Sequence, residues 1–364
     1  MAGLRILFLD SWLRDRSSGS GSTVAIAGLA SGLESLGHEV TVLRPDRVVP
    51  SLDLTRLLYN AGLGNRLANH APDLVVGFDF DGSLLTPGAI RAPYVAALKG
   101  VMADEARFET GAFRRRFKLL APLEARNARS ADRVICTSVY SARQAVREYG
   151  VQRGRMRIVP EGIDVSAWSS VAGQAAALRS RGGRQTTILS VARQYRRKNT
   201  ESLLRALVQL RVSRPDVVLR VVGEGPELAR LRALATQLRL GDAVHFLGSL
   251  EGIEALQREY AGADVFCLPS LQEGFGIVWL EAMAAGLPIV AARAGATPEV
   301  APHEEVSLLV APDDDAALAV ALDRLLADDG LRRKLGEAGA RRWRSYDWSS
   351  VARVFLAACL PADL

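Results

Sequence analysis

The chain has 364 residues, with 46 Lys and Arg against 40 Asp and Glu and a formal net charge of +6. At roughly 100–200 residues per domain, that is enough for two domains with cores of their own. Hydrophobic residues at 49% and charged residues at 24% are ordinary for a globular protein and exclude long disorder, while 6% aromatics and a thinly spread basic excess argue against nucleic acid binding.

The opening MAGLRILFLDSWLRD lacks a basic segment followed by a long apolar one, and Asp10 cuts it short. It reads as a first strand, Arg5 to Asp10, and not as a secretion signal. A Gly/Ser loop from Ser17 to Ser22 leads to a helix expected over 23–36, stopped by Gly37. Further strands are expected over 39–43, 73–78, 94–98 and 133–137, with helices over 113–129 and 141–149. Arg157 to Asp164, RIVPEGID, closes this half. The segment 166–185 is rich in Ala, Gly, Ser and Arg and reads as a linker. Alternation then restarts. Strands are expected over 186–192, 217–223, 243–248, 264–269, 287–292 and 307–311. Helices are expected over 200–212, 226–238, 277–285 and 314–326, then an amphipathic tail from about Trp348 to Leu360.

Strand–helix alternation twice over predicts an α/β fold of two doubly wound parallel-sheet domains. The expected boundaries are 1–167 and 168–345, with the tail helix, 346–364, packing back on the first domain. Ligands on such sheets bind outside the carboxyl ends of the strands, so the expected site is a cleft where the two domains face each other. Cys136, Cys267 and Cys359 are odd in number, and the first two sit in apolar runs. They read as buried free thiols, which suits the cytoplasm. No apolar run reaches the ~18 residues that span a bilayer.

Several strand ends carry residues with chemistry. Gly19-Ser20-Gly21 stands at a strand-to-helix turn, where backbone N–H groups and the helix dipole suit a phosphate, or where a loop simply flexes. The second strand ends in Arg44-Pro45, with no acid for a ribose, so a dehydrogenase is not expected. Gly223-Glu224-Gly225-Pro226 is a similar turn, with Pro226 expected at the helix start. Arg193 and Lys198, in SVARQYRRKNTESL, converge on a helix N-terminus and suit a diphosphate. Glu273 and Glu281 bracket GFGIVWL: Gly274 and Gly276 make a loop, and Ile277 starts a helix. A carboxylate at Glu281 is stabilised by the dipole, and it can also accept sugar hydroxyls. Asp79 and Asp81 could flank a divalent ion, but a loop or acceptor contact fits better. Asp313 to Asp315 read as a helix cap. His and Cys spacing offers no zinc site.

SVARQYRRKNTESLLRAL, VVGEGPELARLRALATQLRLGDAVHFLG and ADVFCLPSLQEGFGIVWLEAMAAGLPIVA resemble, in order and spacing, the nucleotide-binding domain of group 1 glycosyltransferases. These are retaining enzymes of the GT-B architecture, among them sucrose-phosphate synthase and bacterial mannosyltransferases. The resemblance is dense from Thr186 to Val300. It extends through SGSGSTVAIAGLASGLESLGHEVTVL, ADRVICTSVYSARQ and VPEGID to nearly the whole chain. It implies that Arg193 and Lys198 hold the diphosphate and stabilise charge growing on it, and that Glu281 binds the ribose hydroxyls. Glu273 would contact the donor sugar near the N–H groups of Phe275 and Gly276, with Gly223 and Ile277 in the same binding set. Leu247 to Leu250 would lie near the base, and Gly19 and Gly21 would face the phosphates.

The resemblance also implies a reaction without a metal or resident cofactor, drawing on a UDP- or GDP-sugar and an acceptor hydroxyl of unknown identity. One departure stands out. Where many members carry a histidine after the fourth strand, this chain has Lys99-Gly100. As a donor at that place Lys99 is a candidate catalytic residue, with Glu105 and Arg107 near the acceptor. The lysine also motivates an alternative, a nucleotide-sugar-binding protein without transfer. A third reading is a peripheral membrane enzyme at the inner face of the plasma membrane. It rests on Arg114, Arg115, Arg116 and Lys118 among Phe113, Phe117, Leu119 and Leu120. The Arg- and Ala-rich composition suits a GC-rich bacterial source.

Overall fold

The computed structural model describes residues 3–12, 21–85, 88, 91–179 and 185–360. The chain divides into two compact units. One is built around Gly21–Gly162 together with the first strand and the helix from Trp348, and the other spans Ile163–Asp347.

The first unit holds strands β1 (Arg5–Leu9), β2 (Glu39–Leu43), β3 (Leu74–Phe78), β4 (Tyr94–Leu98), β5 (Arg133–Cys136) and β6 (Met156–Ile158), in a sheet ordered β2-β1-β3-β4-β5-β6. All its pairings are parallel. β3 and β4 are buried along their whole length, as helices on both faces of a parallel sheet require. The last strand is only three residues long, so PEGID runs on as loop.

The second unit holds β7 (Thr187–Val191), β8 (Val218–Val222), β9 (Val244–Gly248), β10 (Val265–Leu268), β11 (Ile289–Ala292) and β12 (Ser307–Val310), ordered β12-β11-β10-β7-β8-β9. From β7 the chain winds outward through β8 and β9. It then returns to the other side of β7 as β10 and winds outward again. The order reverses between β7 and β10, and that reversal is where doubly wound sheets open a crevice.

Two expectations are corrected. The segment expected to be a linker is helical at Val165–Trp168 and Val171–Arg179. Trp168, Val171 and Ala175 are buried in the core of the second unit, which adds tertiary support to short helices whose alanines already favour helix. Pro226 precedes its helix, which starts at Leu228 with Glu227 as cap. Further helices lie at Leu52–Leu67, Met102–Phe108, Ile253–Gly262 and Asp329–Arg342.

The tail helix Trp348–Cys359 packs on Gly21–Ser35 in the first unit. The Trp348 indole packs against Gly28, where a Cβ would stand 2.1 Å from the ring. The three cysteines are buried and unpaired. Among the described residues, no helix is long and apolar enough to cross a membrane.

Candidate active site

At the β7–β10 reversal two loops leave the carboxyl edge of the sheet side by side. One runs from Ala192 to Asn199 and the other from Pro269 to Gly276. The Leu271 N–H donates to the Arg197 carbonyl at 2.8 Å and ties them together. The first loop is stiffened from within by Gln194. Its amide donates to the Ala192 carbonyl at 2.7 Å and accepts from the Thr200 hydroxyl at 2.8 Å. Lys198 ends a single 3₁₀ turn, and Asn199 then takes a left-handed φ of 54° that turns the chain into helix Thr200–Ser213.

This geometry brings Lys198 and Glu273 together. Lys198 Nζ donates to Glu273 Oε1 at 2.6 Å, and Ser270 Oγ donates to the same oxygen at 2.9 Å. Both side chains are largely buried, at 14% and 8% exposure, so the pair is shielded from solvent screening. An ammonium carries three N–H donors, and Glu273 takes one of them. The carboxylate is held on its backbone as well, its carbonyl accepting from the Ala296 N–H at 2.9 Å. Arg193 is exposed at the start of the same loop, its guanidinium 5.6 Å from the Tyr195 ring centroid.

Gly276 starts the helix Ile277–Ala284 at a left-handed φ of 89°. A Cβ there would lie 2.3 Å from Nε1 of Trp279, a fully buried residue, so only glycine fits. Glu281 follows one turn after Ile277. Tyr260 donates to its Oε2 at 2.7 Å. The residue is partly exposed, and burial pushes its pKa up to about 7 against the pull of the Tyr260 bond. Phe275 is buried, and Ile277, Leu247 and Leu250 pack half-buried on the same core.

Gly223 makes a tight turn after β8. At φ 111°, its Cβ position would fall 2.1 Å from the Ala192 carbonyl oxygen. Its missing side chain makes room for the neighbouring loop, whose Gln194 N–H donates to Glu224 at 2.8 Å. A cavity of about 310 Å³ beside this loop is lined by Tyr195, Arg196, Arg205, Glu227 and Arg230 among others. It takes in none of Arg193, Lys198, Glu273 and Glu281, so its size does not measure this site.

In the first unit, Lys99 leaves the carboxyl end of β4. Its ammonium is held by both oxygens of Glu161 at 3.1 Å, with both side chains at most 10% exposed. Burial pushes the Glu161 carboxyl up, and the Lys99 charge pulls it back. The Lys99 N–H donates to Asp79 at 2.9 Å. Asp81 is fully buried and already accepts from Ser11 N–H at 2.7 Å and Asn60 at 2.9 Å, with Arg56 beside it, so the two acids serve the loop that follows β3. Gly21 opens helix Gly21–Ser35 with no atom of the described residues near its Cβ position, and Gly19 lies outside the described residues. Arg116 in the basic run pairs with Asp53 at 2.7 Å, while Arg114, Arg115 and Lys118 are exposed beside Leu119, which is 76% exposed.

Sequence reasoning missed Ser270, Tyr260 and Glu161. Ser270 stands three residues before Glu273 and could have been suspected from that alone. Tyr260 and Glu161 meet their partners across 21 and 62 residues, with no local signal.

Comparison with known proteins agrees with this picture. Residues 179–342 match the family model of glycosyl transferases group 1, and residues 19–167 match that of glycosyltransferase family 4. The chain is 32% identical over 333 residues to MMP alpha-(1->4)-mannosyltransferase of Mycolicibacterium hassiacum, covering 85% of this chain and 79% of the relative. It is 32% identical to GDP-mannose-dependent alpha-(1-6)-phosphatidylinositol monomannoside mannosyltransferase of Mycolicibacterium smegmatis, over 60% of this chain and 59% of that protein. The fold is similar to that of sucrose-phosphate synthase from Thermosynechococcus elongatus, with a TM-score of 0.81 at 23% identity over 97% of each chain.

Proposed function

The chain belongs to the group 1 glycosyltransferase family with the GT-B fold, and on that premise we propose that it moves a hexose-type sugar from a nucleoside diphosphate sugar to an acceptor hydroxyl, with retention at the anomeric carbon and without a metal. The observation that carries this reading is the buried Lys198–Glu273 pair, 2.6 Å apart at the reversal of the sheet, with Glu281 one helix turn beyond.

In this reading Lys198 spends one N–H on Glu273 and turns the others, with Arg193, to the diphosphate. Glu273 faces the sugar, and Glu281 takes the ribose hydroxyls. The bond from the anomeric carbon to the phosphate oxygen breaks, and the acceptor oxygen bonds to that carbon on the face being vacated. The acceptor proton passes to the leaving phosphate. Negative charge grows on that phosphate as the bond breaks, so cationic groups already in place lower the barrier as well as bind. The two relatives are mannosyltransferases, and one is named for GDP-mannose, which makes GDP-mannose the first donor to try and UDP-hexoses the second. Incubation of the protein with each donor and a pool of acceptors, read by NMR at the anomeric proton, tests this. An α-linked product from an α-linked donor is expected. An inverted product, or donor binding with no transfer to any acceptor, would refute it.

A second reading concerns where the acceptor lies. Leu119, 76% exposed beside Arg115 and Lys118, gives helix Gly111–Ser130 an apolar tip at the edge of a basic face. That combination suits an anionic lipid surface and a lipid-borne acceptor at the inner face of the membrane. Flotation with vesicles containing anionic lipid is expected to carry the protein, and to fail for Leu119→Asp. Equal recovery with neutral vesicles would rule the reading out.

A further inference from the structure

We propose that Tyr260 is the positioning residue of the donor site, setting the direction in which the Glu281 carboxylate meets the ribose; the inference rests on the assignment of Glu281 to the ribose. Tyr260 is fully buried on helix Ile253–Gly262. Its ring stacks on Phe266 of β10, with centroids 5.6 Å apart and planes at 21°, and meets the Trp168 ring edge-on at 5.3 Å. A ring clamped on two sides leaves its hydroxyl one direction, because a tyrosine has only two side-chain torsions and both are then fixed. That hydroxyl meets Glu281 Oε2 at 2.7 Å.

Among the described residues Glu281 has no other side-chain partner, so Oε1 is left for a ligand. A glutamate at this place without the tyrosine would distribute over several rotamers. Its acceptor oxygen would then have to be ordered at the moment of binding, at a cost in affinity.

The same rings continue to the other end of the motif. Phe266 meets Trp279 edge-on at 5.7 Å, and Trp279 packs against Gly276. One aromatic column therefore sets both the backbone at Gly276 and the side chain at Glu281. Removing the hydroxyl of Tyr260 leaves the ring packing of that column in place.

Calorimetric titration of GDP and UDP, each beside its 2′,3′-dideoxy counterpart, tests the inference in the wild type, Tyr260→Phe and Glu281→Gln. The wild type is expected to prefer the ribonucleotide, and Glu281→Gln to lose that preference. Tyr260→Phe is expected to weaken the ribonucleotide about tenfold while leaving the dideoxy form unchanged. With a turned-over donor, KM should rise and kcat hold. If Glu281→Gln abolishes the preference but Tyr260→Phe binds like the wild type, the role of Tyr260 is overturned and that of Glu281 stands. Equal weakening of both nucleotides in Tyr260→Phe marks a merely structural tyrosine and also overturns it. If neither nucleotide binds the wild type, if the wild type shows no preference, or if Glu281→Gln keeps it, the ribose assignment itself falls and takes the inference with it.

Discussion

Lys198 and Glu273 stand 75 residues apart in the chain, and their charged atoms meet at 2.6 Å where the strand order of the second sheet reverses. Each leaves the carboxyl end of one of the two strands that flank the reversal. A buried pair of this kind costs desolvation, and removing one partner leaves the other charge stranded. Lys198→Ala should lower kcat/KM by roughly thirtyfold, the equivalent of one charge-assisted contact of about 2 kcal/mol. Glu273→Ala should act in the same direction. The double variant should lose less than the product of the two, since the residues share one interaction. Kinetics on all three variants check this, and near-wild-type turnover in Lys198→Ala would remove the lysine from the site.

On the proposed ribose role, Glu281 should make donor affinity depend on pH. Burial raises its carboxyl to about 7, so the charged, acceptor-only form prevails above that value and the protonated form below it. The carboxylate is the form that accepts from ribose hydroxyls. KM for a nucleotide sugar should therefore rise as pH falls through 7. The diphosphate of a nucleotide sugar carries no group that titrates there, which makes such a donor the right probe. Glu281→Gln should have a higher KM that stays flat over the same range. A profile that is steep in the variant too would place the titrating group elsewhere.

Both sheets were legible from runs of apolar residues such as RILFL and TILSV, because a strand buried on two faces must be apolar throughout. The nearness of Lys198 to Glu273 follows from the same alternation: Arg193, Lys198 and the Glu273–Glu281 motif sit within a few residues of strand ends, and strand ends are where doubly wound sheets bind. The pairing partners were not legible. Tyr260 sits in an amphipathic helix and reads there as an ordinary core aromatic. Glu161 follows a three-residue strand in a loop that only the sheet brings to Lys99. The helix Val171–Arg179 stands in Gly-, Ser- and Arg-rich surroundings that read as a linker, although its own alanines favour a helix, and Val171 and Ala175 are buried in the core of the second unit.

Gly276→Ala should damage the donor loop specifically. The new Cβ would enter Trp279 at 2.3 Å, and the left-handed φ of 89° adds strain of about 1–3 kcal/mol. Trp279 is fully buried, so the backbone at Gly276 would have to yield instead. A lower melting temperature together with a KM defect larger than that of Gly64→Ala, at an exposed position of another helix with open space around it, is the expected result. Equal effects from the two substitutions would mean that Gly276 has no special role.

Lys99 replaces the histidine expected at the end of β4, and its ammonium is bound by Glu161 within the first unit. Lys99→Met should destabilise the protein by about 3–5 kcal/mol, because it leaves the Glu161 carboxylate buried without its cation. Lys99→Met combined with Glu161→Leu should recover much of that loss, since an apolar pair of similar volume needs no desolvation. Denaturant unfolding measures both. Activity of the double variant then separates the two meanings of the lysine. Full transfer in a protein of restored stability would make the Lys99–Glu161 pair a support for the sheet edge. Restored stability with transfer lost would make Lys99 a group that touches the substrate, as its position at a strand end suggests.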